Sequence, residues 1–448
     1  MEIEIKNIRR EYPIPVQTKQ AVTMRILFLT QDITVKDIPR AYNTGFSLMV
    51  AQIATALAAE GTEVYVSSSS LTNGTTVVYS KTGEKQFTLL ERKLKYLLTN
   101  LRWKDIPRAI RHALSSHKMS MAWRIKLFKY TLSIGFNIHL IRETNPDVIF
   151  IHSLGPEVLP FISAALHTGK PFVLALHGLF SQANKDDFTT QGEIQLLPNL
   201  LQSGMPLTVV SSGMHNKLLN LCGWKECKNI YVVPNALNDD DEETENTAID
   251  DPWTETYRIL SIGNLNENKN QLQILRAFSL LPTNIKEKSQ LCLIGKDALN
   301  GQLHKEAEKL GISQACIFTG SLPHNEVFRW IRNTKVVVLA SKLEGFGLSI
   351  IEGYHYGVPA VCFDRIDAFD DLYHEKCMTP VYEYSDKALA NAIHKTLMQQ
   401  WDKDFIRTFA QKFSNHAMAS AYLNILRQAQ VGKLTEKAFN RLADKYLS

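Results

Sequence analysis

Short, continuous apolar runs alternate with helix-length stretches along most of this chain. The first run is Arg25-Ile26-Leu27-Phe28-Leu29; residues 47–60 then carry apolar side chains at helical spacing up to Gly61, and the run 63–66 follows at once. Continuous apolar strands are typical of parallel sheets that are buried on both faces, and strand–helix–strand order produces such sheets. The pattern therefore predicts an α/β fold.

This alternation occurs in two series, which indicates two domains. The first series continues with the runs 147–151, 172–176, 207–210 and 230–233, and the second begins at 258–263. Between the two series lies an acidic stretch that is nearly free of apolar side chains, as a linker would be. At 448 residues the chain also exceeds what one hydrophobic core usually supports. We predict an N-terminal extension (1–23), an N-terminal domain (24–234), an acidic linker (235–256), a C-terminal domain (257–415) and C-terminal helices that pack back on the N-terminal domain (416–448).

The cysteines and the apolar runs indicate the cellular compartment of the protein. The six cysteines form no Cys-x-x-Cys pair, and three of them lie in strand-like runs, so we expect reduced thiols and a cytoplasmic protein. The first residues lack the basic and apolar segments of a signal peptide, and no apolar run approaches the roughly 20 residues of a membrane-spanning helix. Asp239-x-Asp241 matches an acidic metal-binding motif, but a run of acids produces such a match by chance, and we predict no metal site.

Residues 91–142 are strongly basic, with twelve Lys or Arg against two acidic residues, whereas the whole chain has a net charge of +5. Trp103, Trp123, Phe128 and Tyr130 are interleaved with these charges. Such a composition suits a surface that meets anionic headgroups or a phosphate-bearing acceptor. The alternative is a set of solvated helix faces. No recognition motif for nucleic acid accompanies the stretch, so nucleic acid is not a predicted partner.

The stretch 336–352 has the pattern of a strand, a glycine-containing turn and a helix. In an open parallel sheet such a turn lies at the carboxyl end of a strand, where ligands bind. Glycines allow close backbone approach, and the first amides of the helix donate to phosphate or sugar oxygens. A carboxylate accepts from two vicinal hydroxyls, so Glu352, expected two turns into the helix, suits a ribose and Glu344 suits a sugar. The alternative is a capped helix with Glu344 in solvent.

The stretch 261–270 has the same strand–turn–helix pattern. Gly263 fits a tight exit from the strand, and Lys269 can deliver a positive charge to a diphosphate. One surface lysine alone would mean little. We call the turn of this stretch, which carries Lys269, the lysine loop, and the turn of 336–352, which carries Glu344, the glycine turn. Glu344 follows Lys269 by 75 residues. The combination of the two turns favours a binding site over two unrelated helix starts.

These two stretches resemble the motifs of the family-4 glycosyltransferases, which are retaining enzymes of the GT-B fold. The resemblance extends from about Arg25 to the C-terminus. It implies two Rossmann-like parallel-sheet domains that face each other across a cleft, with a helical C-terminal tail. The matching motifs are Gly-x-Leu-x-x-x-Lys-Asn (263–270), Glu-Gly-Phe-Gly-Leu-x-x-x-Glu (344–352), Val-Pro-Asn-Ala (233–236) and Gly-Val-Pro-Ala-Val (357–361).

The resemblance also implies roles for individual residues. Lys269 would neutralise the donor diphosphate, Glu352 would hold the nucleotide ribose, and Glu344 with the amides of the glycine turn would bind the transferred sugar. His177, which follows the run 172–176, resembles the family histidine that hydrogen-bonds the donor sugar. Glu344, Lys269 and His177 are thus the predicted catalytic residues. The predicted donor-binding residues are Gly45, Gly263, Asn264, Gly345, Phe346, Gly347, Leu348 and Glu352.

The sequence departs from the family pattern in three places. Asn264 stands where an arginine is usual, Asn43-Thr44-Gly45 has one glycine instead of a pair, and residues 365–369 replace a Gly-Gly-x-Pro-Glu segment. The loss of one phosphate contact would weaken donor binding by about one to a few kcal/mol. We expect Arg258, Lys296 or Arg365 to compensate for it.

The predicted function is retaining transfer of a sugar from a nucleotide-diphosphate sugar, a UDP-sugar first among them, to a hydroxyl of a sugar or lipid-linked sugar acceptor. It requires no cofactor and no metal, and it belongs to surface polysaccharide or glycolipid assembly at the inner face of the plasma membrane. The alternatives are a catalytically weak nucleotide-sugar-binding subunit and a phosphorylase or epimerase of the same fold. The absence of Gly-x-Gly-x-x-Gly disfavours a nicotinamide dehydrogenase.

Overall fold

A computed structural model of the protein describes residues 4–7, 23–33, 45–69, 74–80, 83–92, 94–115, 120–179, 188–237 and 256–447. The chain divides into two compact units. Unit 1 consists of Met1–Val210, His215–Val233 and Met418–Ser448, and unit 2 consists of Ser211–Met214 and Pro234–Ala417. Each unit contains one sheet that is wholly or mainly parallel, so the predicted α/β class is confirmed.

Unit 1 is built on a nine-stranded sheet. Its strands are β1 (Glu4–Asn7), β2 (Arg25–Thr30), β3 (Glu63–Ser68), β4 (Thr76–Tyr79), β5 (Lys85–Leu89), β6 (Val148–His152), β7 (Phe172–Leu176), β8 (Leu207–Val209) and β9 (Ile230–Val232). They lie in the order β1-β4-β5-β3-β2-β6-β7-β8-β9, and only the pairs β1–β4 and β4–β5 are antiparallel. Strands β6 and β7 are buried along their whole length, as continuous apolar strands between two helix layers should be.

The helix predicted over 47–60 is confirmed as α1 with shifts of one or two residues, and further helices accompany it in this part of the chain. Together they are α1 (Gly45–Ala59), α2 (Leu94–Thr99), α3 (Ile106–Ser115), α4 (Met121–Leu132), α5 (Ile134–Thr144), α6 (Leu159–Thr168), α7 (Phe188–Gln202) and α8 (Ser212–Cys222). A single helical turn, Trp103–Asp105, precedes α3. Gly45, one of the predicted donor-binding residues, is the first residue of α1.

Unit 2 has a six-stranded sheet in which every strand is parallel. The strands are β10 (Tyr257–Ile262), β11 (Ser289–Ile294), β12 (Cys316–Gly320), β13 (Val336–Leu339), β14 (Ala360–Phe363) and β15 (Met378–Val381). Their order is β12-β11-β10-β13-β14-β15, so the chain moves outward from β10 in one direction and from β13 in the other. The neighbours β10 and β13 therefore form a topological switch point, where α/β sheets bind ligands.

Helices cover both faces of this second sheet. They are α9 (Gln271–Ser279), α10 (Thr283–Lys286), α11 (Gln302–Lys309), α12 (His324–Arg332), α13 (Leu348–His355), α14 (Phe369–Leu372), α15 (Asp386–Met398) and α16 (Lys403–Ala410). Successive residues of β10 belong to different cores, because Ile259 packs into one cluster and Leu260 into another on the opposite face.

The chain ends in helices, as predicted. After α15 and α16 come α17 (Asn415–Gln428) and α18 (Glu436–Leu447). Residues from Met418 onward belong to unit 1, where α18 packs against α3, α6 and α7. The Tyr422 ring of α17 lies 5.1 Å from the Phe150 ring of β6. Of the helices in the described ranges, none has both the length and the apolar character needed to cross a bilayer.

The structure corrects the sequence analysis at the short strands. The first regular element is β1 and not the run that starts at Arg25, and the strands β4, β5 and β15 were missed. Strands β1, β4 and β5 are joined by antiparallel pairing and therefore lie outside the strand–helix–strand alternation from which the other strands were predicted. The three cysteines expected in strands, Cys292, Cys316 and Cys362, lie in β11, β12 and β14. The acidic segment with Asp239 and Asp241 lies outside the described residues.

Candidate active site

The loops that follow β10 and β13 are held side by side at the switch point of unit 2. Asn268 makes three hydrogen bonds between them. Its backbone carbonyl accepts from the Lys342 amide at 2.7 Å, its Oδ1 accepts from the Leu343 amide at 3.0 Å, and its Nδ2 donates to the Leu343 carbonyl at 2.9 Å. The lysine loop and the glycine turn, which are distant in sequence, thus form one surface at the carboxyl ends of the strands.

Lys269 and Glu344 meet within this surface. The Lys269 ammonium donates to Oε2 of Glu344, and the Ser341 hydroxyl donates to the same oxygen at 3.3 Å. The side chains of Lys269 and Glu344 are 27% and 17% exposed. The structure therefore brings together the two residues that the sequence analysis assigned to the diphosphate and to the sugar, and leaves both within reach of a ligand.

Two glycines allow this arrangement. Gly263 has a φ of +132°, and a Cβ at that position would lie 3.3 Å from Cε of Lys269, so the glycine leaves room for the lysine stem at the exit of β10. Gly347 has a φ of +99°, and a Cβ there would lie 3.1 Å from Cδ2 of Leu339. Larger residues at either position would strain the backbone and displace the site.

The helices that start after these loops have no side-chain cap. Helix α9 begins after Asn270, which has a left-handed φ of 56°, and helix α13 begins after Gly347; among the described residues no side chain caps either one. By contrast, Ser385 and Asp402 accept hydrogen bonds from the first amides of α15 and α16. Uncapped first amides and the helix dipole favour an anionic ligand. Two such helix ends beside Lys269 therefore favour a polyanion.

The remaining residues of the glycine turn have distinct positions. Phe346 is buried with its ring 5.8 Å from that of Phe413, so its contribution to a ligand is limited to its backbone. Leu348 is the first residue of α13, and Gly345 is half-buried between it and Glu344. Glu352 is the fifth residue of α13 and half-buried, so it lies just over one turn into the helix and not the two turns expected from the sequence.

Asn264 is exposed directly after Gly263. The structure excludes one of the three basic residues that we expected to supply the positive charge missing at this position. Arg258 does not qualify, because it lies near the start of β10, buried over the Trp330 ring. Lys296 does lie beside the lysine loop, since its carbonyl accepts from the Leu265 amide at 2.8 Å.

Arg365 is also connected to the lysine loop. It is exposed after β14, with its guanidinium 5.0 Å from the centre of the Tyr384 ring. The Tyr384 hydroxyl accepts from Nδ2 of Asn270 at 2.8 Å. The segment 365–369, which replaces the family's Gly-Gly-x-Pro-Glu, also contacts the glycine turn, because the Asp367 amide donates to the Glu344 carbonyl at 2.9 Å. Lys296 and Arg365 therefore remain as the candidates.

In unit 1, His177 directly follows β7 and contacts the start of α1. Phe46, the neighbour of Gly45, packs edge-on against the His177 ring with the ring centres 5.4 Å apart. Nε2 of His177 lies 3.0 Å from Nδ1 of His152, which ends β6, and the two imidazoles are stacked. Asn43 and Thr44 lie outside the described residues.

Burial keeps both imidazoles neutral. It lowers the pKa of His177 to about 4, and burial together with the charge that His177 would carry lowers the pKa of His152 well below its usual value. A neutral His177 that shares a hydrogen bond with His152 has one further ring nitrogen, Nδ1, which lacks a partner among the described residues. His177 is therefore suited to hydrogen bonding with a ligand and not to carrying a charge.

Four residues of these surfaces were not predicted: Asn268, Asn270, Ser341 and His152. Asn268 and Asn270 flank the predicted Lys269, and Ser341 lies three residues before Glu344, so proximity to the motifs was their only signal. His152 ends a strand next to β7, which becomes apparent only from the strand order. In the described ranges no group of three or more His, Cys, Asp or Glu side chains is arranged to hold a metal.

Comparison with protein families gives two adjoining matches. Residues 44–241 match the model described as Glycosyltransferase Family 4, and residues 243–415 match the model described as Glycosyl transferases group 1. The two models together extend from the start of α1 to the start of α17.

Curated relatives align over part of their length. The chain is 23% identical over 206 residues to N-acetylgalactosamine-N,N'-diacetylbacillosaminyl-diphospho-undecaprenol 4-alpha-N-acetylgalactosaminyltransferase of Campylobacter jejuni, covering 46% of this chain and 53% of the relative. It is 25% identical over 137 residues to the amylovoran biosynthesis glycosyltransferase AmsD of Erwinia amylovora, covering 31% of this chain and 38% of the relative. The aligned segments thus span about half the length of these relatives or less.

Solved structures match nearly the whole chain. The lipopolysaccharide outer core galactosyltransferase WaaB has a TM-score of 0.60 at 14% identity, covering 90% of this chain and 99% of that one. Sucrose-phosphate synthase from Thermosynechococcus elongatus has a TM-score of 0.65 at 17% identity, covering 90% and 98%. HepE of Anabaena, in complex with UDP and glucose, has a TM-score of 0.55 at 17% identity, covering 90% and 98%. At these identities the likeness establishes the fold, and the GT-B class is confirmed.

Proposed function

The chain belongs to the family-4 glycosyltransferases, and on this premise we propose that it transfers a sugar from a nucleotide-diphosphate donor to a hydroxyl acceptor. The observation that carries the proposal is the Lys269–Glu344 pair at the switch point of unit 2, between the uncapped starts of α9 and α13. A cation and two helix N-termini suit a diphosphate, and a neighbouring carboxylate suits the hydroxyls of a sugar.

Each residue takes one part of the donor. Lys269 and the first amides of α9 and α13 bind the diphosphate. Gly263 leaves room for the aliphatic part of the Lys269 side chain, and Asn264 lies at the edge of the diphosphate site. Glu344 and the backbone of Gly345–Leu348 bind the transferred sugar. Glu352 accepts from the two ribose hydroxyls. In unit 1, the Nδ1 atom of the neutral His177 is the group that we assign to hydrogen bonding with a sugar hydroxyl, as the family resemblance implies.

The reaction proceeds with retention of the anomeric configuration and without a metal. The acceptor hydroxyl approaches from the face that the nucleotide leaves, and the departing diphosphate takes the acceptor proton. Charge accumulates on the diphosphate as the glycosidic bond breaks. Lys269 and the helix amides stabilise the reaction most at that stage, because they are already oriented toward this negative charge and need not reorganise.

The relatives support a donor and an acceptor class. One solved neighbour holds UDP and glucose, so a UDP-sugar is the first donor to examine. One curated relative carries a diphospho-undecaprenol acceptor in its name, and another acts in amylovoran biosynthesis. We assign this chain a sugar or lipid-linked sugar acceptor in polysaccharide or glycolipid assembly. It would meet that acceptor from the cytoplasm, in peripheral contact with an anionic membrane through the basic stretch 91–142.

A donor panel tests the proposal. UDP-, GDP-, ADP- and dTDP-sugars are each added to the full chain. Thermal shift measures binding, and nucleotide release with and without acceptors measures turnover. We expect one nucleotide class to raise the melting temperature and its sugar to be transferred. No thermal shift with any donor would refute the site. Binding without turnover across a broad acceptor panel would instead identify a nucleotide-sugar-binding subunit, which only the three departures from the family pattern support.

A further inference from the structure

Helix α3 carries its apolar side chains on the exposed side. Trp103, in the helical turn before the helix, is followed by Pro107, Ile110 and Leu114 at intervals of four, three and four residues, so that the four side chains form one stripe. All four are exposed, Trp103 by 81%, Ile110 by 45% and Leu114 by 64%. A surface helix of a globular protein normally has the reverse arrangement, with its apolar stripe toward the core.

Polar contacts hold the opposite face of α3 against unit 1. His112 is buried, with Nδ1 2.9 Å from Oγ1 of Thr131 in α4 and Nε2 2.8 Å from Oδ1 of Asp444 in α18. Arg108, one turn earlier, also donates to Asp444. Turning the helix to bury the apolar stripe would break these bonds and leave a carboxylate and a guanidinium without partners, which is costly inside a protein.

A second set of contacts fixes the start of the helix in the same orientation. The Arg102 guanidinium donates to both oxygens of the buried Asp105, at 2.7 and 2.9 Å, and to Glu436 of α18 at 2.6 Å. His167 of α6 lies 2.9 Å from the other Glu436 oxygen. Helix α18 thus holds α3 at both ends, and the outward position of the stripe is determined by the fold.

The neighbouring helix also carries exposed apolar side chains. Met121 and Ile125, one turn apart on α4, are 69% and 50% exposed, and α3 and α4 pack against each other. Isolated apolar side chains are common on protein surfaces, whereas several together mark an interaction site. Complete burial of each large side chain is worth about 1.5 to 3 kcal/mol, so a partner that covers this surface gains several kcal/mol.

The charges around this surface have one sign. Residues 94–132 contain nine Lys or Arg and one acid, Asp105, which is buried against Arg102. Lys95, Lys104, Lys126 and Lys129 are exposed. A second copy of the same surface would be repelled, whereas anionic headgroups attract each nearby Lys or Arg by about 1 kcal/mol. Apolar side chains surrounded by lysines, with a tryptophan at one end, match a helix that lies in the bilayer interface.

We propose that the outer apolar surface of α3 and α4, defined by Trp103, Pro107, Ile110, Leu114, Met121 and Ile125, inserts into the headgroup region of an anionic bilayer, with α3 parallel to the membrane plane. The exposed lysines then lie at the level of the phosphates. The membrane contact named in the proposed function is thereby assigned to one specific surface, and the inference rests on that function only in this respect. Insertion itself does not depend on sugar transfer, because it requires neither donor nor acceptor.

Vesicle sedimentation of the full chain tests this assignment. The probes are phosphatidylcholine vesicles with and without phosphatidylglycerol, at low and high salt. The stripe variant carries Trp103→Ser, Ile110→Ser and Leu114→Ser. Its matched control replaces three exposed apolar residues elsewhere, Leu280→Ser, Met398→Ser and Val431→Ser. Melting temperatures and circular dichroism show whether each variant folds.

We expect the wild type and the control to bind anionic vesicles, and the stripe variant to bind at least about tenfold more weakly, since three inserted side chains are lost. Equal binding by the folded stripe variant and the wild type would overturn the proposal, as would no binding by the wild type at low salt. Self-association that the stripe substitutions abolish without lipid would assign the surface to a second copy instead.

Fluorescence quenching by brominated lipid gives a second measurement that needs no triple variant. We expect Trp103→Phe to remove most of the quenching, and Trp401→Phe in unit 2 to leave it unchanged. Trp123, which is half-buried on α4 beside Met121 and Ile125, can also be quenched by insertion of this surface. Quenching that persists when Trp103→Phe and Trp123→Phe are combined would therefore show that another surface inserts. No donor or acceptor is present in either assay, so a negative result leaves the transfer proposal intact, and a failed donor panel leaves this one intact.

Discussion

Lys269 and Glu344 form an ion pair between two loops that are 75 residues apart in the sequence. A diphosphate that binds the Lys269 ammonium therefore has to share it with a carboxylate or displace that carboxylate. The sugar that follows the diphosphate would compete for the same glutamate. The two residues of the pair should consequently respond differently to substitution, although both belong to one site.

Replacing Lys269 should weaken nucleotide binding itself. We expect Lys269→Ala to raise the Kd for the nucleoside diphosphate by about 10- to 100-fold, since a charge-assisted hydrogen bond is worth roughly 1.5 to 3 kcal/mol. Titration calorimetry measures this directly. Lys342→Ala removes an exposed lysine of the adjoining glycine turn and is the control, which should bind like the wild type. Equal affinities for wild type and Lys269→Ala would contradict the diphosphate role.

Replacing Glu344 should separate binding from turnover. Glu344→Gln keeps the shape and removes the charge that holds Lys269, so the nucleoside diphosphate should bind as well as in the wild type or a few fold tighter. Transfer should nevertheless fall about 100-fold, because the carboxylate no longer positions the sugar. The same calorimetry and a nucleotide-release assay check both halves. If Glu344→Gln loses nucleotide affinity as Lys269→Ala does, the division between sugar and diphosphate is wrong.

The hydrogen bonds of Asn268 should matter more for activity than for stability. Asn268→Ala removes both side-chain bonds to Leu343, at about 0.5 to 1.5 kcal/mol each, and lets the two loops separate. We expect a drop in transfer rate of tenfold or more with a loss of about 1 to 3 kcal/mol in unfolding free energy. Asn333→Ala, which removes an exposed bond within one helix, is the control for general damage. A fully active Asn268→Ala would show that the loops need no such connection.

Asn264 offers a gain of function. Asn264→Arg restores the charge that the family usually has after Gly263, and we expect donor affinity to rise about tenfold, on the scale of one charge-assisted hydrogen bond. Asn333→Arg adds the same charge at an exposed site away from the loop, so it separates a specific contact from a general effect of charge. No gain with Asn264→Arg would mean that Lys296 or Arg365 already supplies this contact.

The sequence indicated which of the candidate residues lie together in unit 2 better than in unit 1, for a physical reason. In unit 2 the motif residues lie on two loops whose strands are neighbours, so a correct assignment of β10 and β13 was enough to bring Lys269 near Glu344. Their direct pairing, and the bonds from Asn268, depend on side-chain geometry that no spacing reveals. The His152–His177 contact in unit 1 depends on which strands are neighbours. Strand β1 was missed because it is stabilised by its partner β4 and not by its own composition.

The buried imidazoles predict a loss of stability in acid. The pKa of folded His177 is about 4 because of burial, whereas an unfolded histidine titrates near 6.5. Below about pH 6.5 the unfolded chain therefore binds more protons than the folded one, and stability falls as the pH falls toward 4. His177→Gln should reduce this dependence, by up to about 1.4 kcal/mol per pH unit. Urea unfolding at several pH values measures it, with His139→Gln, whose side chain is 42% exposed, as the control.

The contact between α18 and α3 predicts a second loss of stability in acid, this time through a carboxylate. Burial alone would raise the pKa of Asp444, but hydrogen bonds from His112 and Arg108 hold that pKa below its ordinary value. The charged form is therefore favoured by folding, and its stabilisation is complete above the unfolded pKa of about 4 and is lost as the pH falls through the folded pKa. Asp444→Asn should cost about 1 to 3 kcal/mol at neutral pH, since it weakens bonds to two cationic or polar partners. This difference from the wild type should shrink below pH 4. Asp404→Asn, at an exposed helix pair, should show neither effect, and an equal response of both variants would mean that Asp444 is not held by its partners.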